Sequence, residues 1–325
     1  MSYKKDIKKA TEELIELCRQ KLSENRHVVI TGHACPDSDS LISSYLMKRL
    51  LERAGIRADV KFSDMPDRVS ADNARLLNFY DKIIFGEYSK SDAVLLVDHH
   101  KAHFDDKYYV FGCVDHHTTP PSPEYEYNFV EHASSCGKII YDMMCSLGYG
   151  CEESEKLALY SVYLDTQSCK SSKFNPEDAQ WVENTLKKYS IDRRKIERMG
   201  YCYNNLTEST IEELALCGFK KYVFFGYSGM STCIQISPED VVYAEQRLPE
   251  IFKYIASYMK KNGIFVCAYV LNMPEKNYSD IYFISPVENF TGFDMSKVSP
   301  GRLASRSKDV VPVIYRMAEK LDDKK

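Results

Sequence analysis

Two apolar runs, "DAVLLVDHH" (92–100) and "YYVFGCVDHH" (108–117), stand close together and end in the same four residues. Each is short, apolar and bounded by polar residues, and each reads as a strand that delivers Asp and His at its end. Working outward, "HVVITGH" (27–33) is a β-branched run of the same kind. "DSLISSYLMKRLLERAG" (39–55) follows it as a helix closed by Gly55. "ADVKFSD" (58–64) and "KIIFGE" (82–87) read as strands, with a short helix over 74–80 between them. Residues 4–22 space Ile7, Ala10, Leu14, Ile15, Cys18 and Leu22 near a 3.6 period and read as an amphipathic helix, and 138–150 and 155–168 also read as helices. Strands alternating with helices imply an α/β fold with a doubly wound, mainly parallel sheet.

The pattern shifts near "YCYNNLTEST" (201–210), which is polar and lacks a period. It divides the chain into a first domain over 1–203, a linker over 204–210 and a smaller α/β domain over 211–325. The second domain begins with strands and turns, followed by a long helix over 238–263. Two further strands ("IFVCAYVLNM" and "DIYFISP") precede a terminal helix from residue 311.

A chain of 325 residues suits two cores. The net charge of −4 gives no global attraction for long nucleic acid or an anionic membrane, so cations for an anionic substrate must be local. The N-terminus is charged and amphipathic, unlike a signal peptide, and no run is apolar enough for a membrane span. Eleven cysteines without a C-x-x-C pair point to reduced thiols and a cytoplasmic protein.

The chemistry gathers where the apolar runs end. "TGHACPDSDS" supplies His33, Asp37 and Asp39, the first VDHH supplies Asp98, and the second supplies Asp115, His116 and His117. "YLDTQS" adds Asp165. In an open parallel sheet, residues just past several strands converge on one crevice. Carboxylates collected there need a cation. Carboxylate and imidazole ligands without thiolate favour Mn²⁺, Co²⁺ or Mg²⁺. Four Asp and two His of this set already exceed one ion's needs and suit two ions about 3.5–4 Å apart, which would activate a water against a phosphate ester or anhydride. By contrast, Ser38 and Ser40 read as turn or cap residues and Cys35 as a small filler. His103 and His132 read as surface histidines, and His27 as the start of a strand.

At these residues the chain resembles the DHH phosphoesterase superfamily. "GHACPDSDS", "LLVDHH", "CVDHH" and "YLDTQS" are similar to its four motifs, in order, over residues 28–170. "PGRLASRSKDVVPVI" (300–314) resembles the SRK-x-x-VVP motif of the DHHA2-type branch, which holds family II inorganic pyrophosphatases, short-chain exopolyphosphatases and prune-like proteins. "GFKKYVFFG" (218–226) resembles the pyrophosphatase stretch whose lysine grips phosphate. The resemblance implies a mixed-sheet, DHHA2-like second domain and an active site in the cleft between the domains. His33 and Asp37 would bind one metal, and Asp39, His116 and Asp165 the other, with Asp98 bridging. His117 would face the substrate, Asp115 would orient a histidine, and Lys220, Arg306 and Lys308 would hold the distal phosphate.

The implied protein is a two-metal phosphohydrolase, Mn²⁺ the first choice of ion, cleaving pyrophosphate or short-chain polyphosphate. It would take a small anionic phosphate substrate and act as a monomer or homodimer, without long nucleic acid or membrane. Cys35 stands where the family has Asn, His100 and Lys101 depart from the pyrophosphatase reading VDHNE, and Ser307 replaces the lysine of SRK. Those departures put the substrate in question, and two alternatives stand beside the leading reading: a phosphodiesterase on short oligonucleotides or cyclic dinucleotides, and a prune-like interaction protein with little or no catalysis. The chain has no GG dipeptide, which weighs against the phosphodiesterase. The intact ligand set weighs against the scaffold.

Overall fold

The apolar runs of the first half pair side by side. The structure, a computed structural model, describes residues 6–102, 104, 108–117, 124–171, 173–200, 206–286 and 293–323. It divides into two units, Met1–Cys169 with Lys173–Met199, and Gly200–Lys325 with Lys170–Ser172. The expected boundary at 203, the first two residues of the expected linker and His103 lie outside the described residues.

In the first unit, β1 (His27–Thr31), β2 (Ala58–Phe62), β3 (Ile83–Phe85), β4 (Asp92–Val97), β5 (Tyr109–Asp115) and β6 (Tyr127–Val130) form one sheet. Its order is β3-β2-β1-β4-β5-β6, and every pairing is parallel. This order reverses between β1 and β4, which lie side by side with Thr31 opposite Leu96. Connections leaving those two strands diverge, so a crevice opens beyond their carboxyl ends. The polar tails of β1, β4 and β5 meet there.

Alternation along each strand sorts its side chains to two faces. Val28, Ile30, Leu95 and Val97 pack with α1 (Ile7–Ser23), α2 (Ser38–Arg53), α4 (Cys136–Ser146) and α5 (Glu152–Asp165). Val29, Val94 and Leu96 face the other way, under Tyr88, Phe104, Tyr108 and Tyr125. Residues 86–91 between β3 and β4 are too few for a crossover helix, and Tyr88 from that stretch covers the sheet with an aromatic ring instead. A further helix, α3 (Arg68–Leu76), follows β2, while α6 (Ala179–Lys188) and α7 (Arg193–Met199) pack on α5. The sequence reading missed β6, α6 and α7. It placed the end of α2 well: Ala54 closes the helix and Gly55 follows at φ +76°.

The second unit holds α8 (Ile211–Leu216), β7 (Lys220–Phe224), β8 (Tyr227–Gln235), α9 (Val241–Asn262), β9 (Ile264–Met273), β10 (Tyr278–Pro286), β11 (Phe293–Val298) and α10 (Val311–Asp322). Its sheet runs β11-β10-β9-β8-β7, with β8 and β9 parallel across α9 and the other pairs antiparallel. Phe252 of α9 packs on Tyr269 and Tyr282, at 5.7 and 5.1 Å between ring centroids. Ile314 of α10 packs with Val266, Ala268 and Val270 on the opposite face. The two expected α/β domains are therefore present, the first with a parallel sheet and the second with a mixed one. Two elements were unexpected there, the helix α8 and the strand β11. The described side chains of β11 from Asp294 to Val298 are exposed on a sheet edge, so no apolar period marks it.

Candidate metal centre

The crevice at the end of β1 starts with Gly32. A Cβ there would lie 1.7 Å from Ser40 Oγ, so only glycine lets the start of α2 close on the strand. The His33 N–H donates to that hydroxyl at 3.3 Å. Asp37 is the N-cap of α2 and accepts from the Ser40 N–H at 3.1 Å, a role Asp fills well. One oxygen of Asp37 thus caps the helix, while Oδ2 lies 3.4 Å from His33 Nε2. Cys35, expected as a small filler, is exposed at a left-handed corner of this loop, φ +50°.

Asp39 points the other way and is buried. Its Oδ1 accepts from Ser43 Oγ (2.9 Å), the Gly137 N–H (3.1 Å) and Ser161 Oγ (2.5 Å), and Oδ2 accepts from the Cys136 N–H at 2.9 Å. Cys136 and Gly137 open α4, whose amino end favours a negative charge. Three donors fill Oδ1, while Oδ2 keeps a lone pair and lies 3.8 Å from His116 Nε2. Gly137 is essential to this arrangement, because a Cβ there would lie 2.4 Å from Ser161 Oγ. Gly137→Ala is expected to destabilise the fold by about 1–3 kcal/mol through overpacking. Denaturant unfolding beside the wild type checks it; unchanged stability would refute the packing argument.

Asp98, just past β4, is buried and left-handed at φ +60°. Its Oδ2 lies 3.5 Å from His33 Nε2 and its Oδ1 lies 3.3 Å from His116 Nε2. Asp165 closes the group from the end of α5, with Oδ2 3.7 Å from His116 Nε2. Two triads result: His33, Asp37 and Asp98, and Asp39, His116 and Asp165. Asp98 reaches both.

The tautomers are decided by geometry. His33 Nδ1 lies 2.8 Å from the Ala34 carbonyl and His116 Nδ1 lies 3.2 Å from the Ala133 carbonyl. A carbonyl only accepts, so each Nδ1 carries a proton and each Nε2 is left to face carboxylates. Among the described residues, Asp98 Oδ1, His116 Nε2 and Asp165 Oδ2 are buried without a hydrogen bond. Burial, then the charges of Asp98 and Asp165, push the Asp39 carboxyl up to about 7. Burial opposes charge on the His116 ring, but Asp98, Asp165 and Asp39 outweigh it and raise its pKa to about 10. The cluster thus holds protons where it lacks positive charge, and a divalent ion would take their place. The donor set fits such an ion.

Asp115 anchors the other histidines. It is fully buried, and its Oδ1 accepts from the His116 N–H (2.8 Å), the His117 N–H (3.1 Å) and His117 Nδ1 (2.8 Å). Its Oδ2 accepts from His100 Nδ1 at 2.5 Å. Burial alone would raise this carboxyl, but His117 and His100 together hold it well below the ordinary range. The His117 side chain is 38 % exposed, against 4 % for His116, so His117 is the more open of the pair. The sequence marks His100 only as a departure from VDHNE and gives it no partner. The structure ties it to the carboxylate of the second VDHH.

Lys220, Arg306 and Lys308 lie in the second unit. Arg306 Nη1 donates to the Gly218 carbonyl at 2.8 Å, which places this guanidinium against the loop that leads to Lys220. Arg302 grips Asp309 through two bonds of 2.9 and 2.7 Å and braces the turn that carries Arg306 and the exposed Lys308. The sequence reading did not single out Arg302, Gly137, Ser161 or Lys173.

No curated protein matches the chain in sequence. A solved structure from Methanococcus jannaschii, a candidate family II inorganic pyrophosphatase, shares its fold with a TM-score of 0.71 at 19% identity. The match covers 90% of this chain and 99% of that one. An exopolyphosphatase-related protein from Bacteroides fragilis gives a TM-score of 0.49 at 16% identity, over 96% and 97% of the two chains. Residues 27–166, which carry the whole histidine and aspartate cluster, match the model of the N-terminal domain of the DHH family.

Proposed function

We propose that this protein is a divalent-metal-dependent phosphohydrolase that cleaves the phosphoanhydride bonds of pyrophosphate or short-chain polyphosphate. The observation that carries the reading is the pair of imidazoles, each with Nδ1 tied to a backbone carbonyl and Nε2 aimed at carboxylates, joined by Asp98. His33, Asp37 and Asp98 would hold one ion, and Asp39, His116 and Asp165, again with Asp98, a second. Bound there, such a pair lowers the pKa of a water and neutralises a phosphoryl oxygen. Oxygen and imidazole donors favour Mn²⁺, with Co²⁺ or Mg²⁺ as substitutes.

The remaining steps belong to the chain. Asp115 holds the proton of His117 on Nδ1 and so turns Nε2 outward. If protonated there too, His117 donates to a phosphate oxygen or to the leaving group. Lys220, Arg306 and Lys308 are the cations assigned to the distal phosphate; Arg grips it in two places and Lys acts as a point charge. The fold shared with the M. jannaschii protein supports pyrophosphate or a short homologue as substrate. The ten described cysteines are free thiols, which suits a cytoplasmic setting.

Phosphate release by Mn²⁺-loaded protein tests the reading. Pyrophosphate and tripolyphosphate are expected to yield phosphate, and a dinucleotide is expected to stay intact. Dinucleotide cleavage with no release from either anhydride would establish the phosphodiesterase reading instead.

A further inference from the structure

Asp165 is the last residue of α5, where the helix's own carbonyls already make the end negative. Its carboxylate is 10 % exposed and sits in a triad with Asp39. An uncompensated charge there would be expelled or protonated. Lys173 prevents this: its Nζ lies 2.6 Å from Asp165 Oδ1, while Oδ2 stays turned toward His116. Asp165 thus divides its two oxygens between a side-chain cation and the metal-ligand cluster. Asp37 and Asp98 also attract this ammonium, so Lys173 is placed near carboxylates of both triads.

The backbone is arranged to bring Lys173 there. Gln167, Ser168 and Cys169 are left-handed in succession, at φ +51°, +63° and +62°, a conformation that L side chains rarely adopt. The run is pinned by the Ser168 N–H on the Tyr163 carbonyl (2.7 Å) and the Cys169 N–H on Thr166 Oγ1 (3.0 Å). It turns the chain back on the end of α5 and returns Lys173 to Asp165. Strained non-glycine backbone persists where a functional arrangement requires it.

We propose that Lys173 is a tethered cation of the metal centre, a positioning residue that holds Asp165 in place before an ion arrives and then weakens that ion's binding by like-charge repulsion. The inference rests on reading the cluster as a metal centre and is independent of the substrate. It predicts a sign opposite to that of an ordinary supporting residue, whose loss weakens metal binding.

Lys173→Met keeps the stem and removes the charge; Lys173→Arg keeps the charge. Mn²⁺ affinity by calorimetry is expected to tighten about tenfold in Lys173→Met and to stay near wild type in Lys173→Arg. Metal-free Lys173→Met is expected to melt roughly 2–4 °C below wild type, and added Mn²⁺ should close that gap. Equal or weaker Mn²⁺ binding by Lys173→Met overturns the proposal, as does an equal melting deficit with and without Mn²⁺. Should Lys173→Met fold only when Mn²⁺ is present, the proposal stands; failure to fold under both conditions overturns it. No Mn²⁺ uptake by wild-type protein would remove the metal centre itself, and this inference with it.

Discussion

Asp98→Asn is expected to lower kcat/KM for phosphate release about a thousandfold, the scale on which charge stabilisation is lost when a central electrostatic group is removed. The substitution isolates charge from shape. Asp98 occupies a left-handed backbone position, φ +60°, which Asn is among the few residues to tolerate. The main chain, including the Asp98 N–H on the Val114 carbonyl at 3.0 Å, therefore keeps its path. What changes is the carboxylate, which lies 3.5 Å from one imidazole and 3.3 Å from the other. An amide in its place offers one oxygen and no charge, so the carboxylate that links the first triad to His116 of the second is lost. The metal-free fold should not suffer, because Asp98 is one of the charges that push the Asp39 carboxyl upward. Steady-state phosphate release at saturating Mn²⁺, with a thermal melt beside it, checks both halves. Activity within threefold of wild type would show that Asp98 is not shared between ions.

Asp115→Asn is expected to reduce kcat by about 10–100-fold, the usual effect of losing a group that orients the residues around a metal. Both carboxylate oxygens are in use. One serves the backbone N–H groups of His116 and His117 together with the His117 ring, and the other serves His100 at 2.5 Å. Asn supplies one accepting oxygen. If that oxygen stays with His117, an NH₂ group meets His100 Nδ1; if it turns to His100, His117 loses its anchor. Either way one imidazole changes tautomer or orientation. His100→Ala removes only the contact to the second oxygen and should fall between wild type and Asp115→Asn. Metal affinity separates this role from ligation: it should change far less in Asp115→Asn than in Asp98→Asn. A matching collapse of Mn²⁺ affinity in both variants would make Asp115 a ligand instead.

The sheet and the acidic and histidine cluster were legible in the sequence for a simple reason. Buried parallel strands are apolar runs, and their ends carry polar tails, so "LLVDHH" and "CVDHH" expose strand, edge and chemistry in one reading. Asp165 was reachable from "YLDTQS", near the end of a segment that reads as a helix. Supporting residues were not. Ser161 meets Asp39 across 122 positions, and nothing in its helix distinguishes it from a small polar filler. Gly137 matters through a clash that exists only once α4 and α5 are packed. Lys173 is one of 43 lysines and arginines, and its value depends on three consecutive left-handed residues that no local pattern encodes. The pairing of His100 with Asp115 was hidden for the opposite reason. Both belong to conspicuous words, but the register that joins them is set by β4 beside β5, with Val97 opposite Val114.

The two copies of VDHH therefore have unequal parts. Asp98 of the first faces both triads, and His100 of the first steadies Asp115 of the second. His116 turns inward to the carboxylates while His117 stays more open.

The central claim is one centre holding two ions that share Asp98. It is tested most directly by the electron paramagnetic resonance spectrum of the protein at measured Mn²⁺ occupancy. The expected result is two Mn²⁺ per chain with a spin-coupled spectrum, which Asp98→Asn converts to isolated ions or to a single one. A single uncoupled Mn²⁺ per wild-type chain at saturation would contradict it.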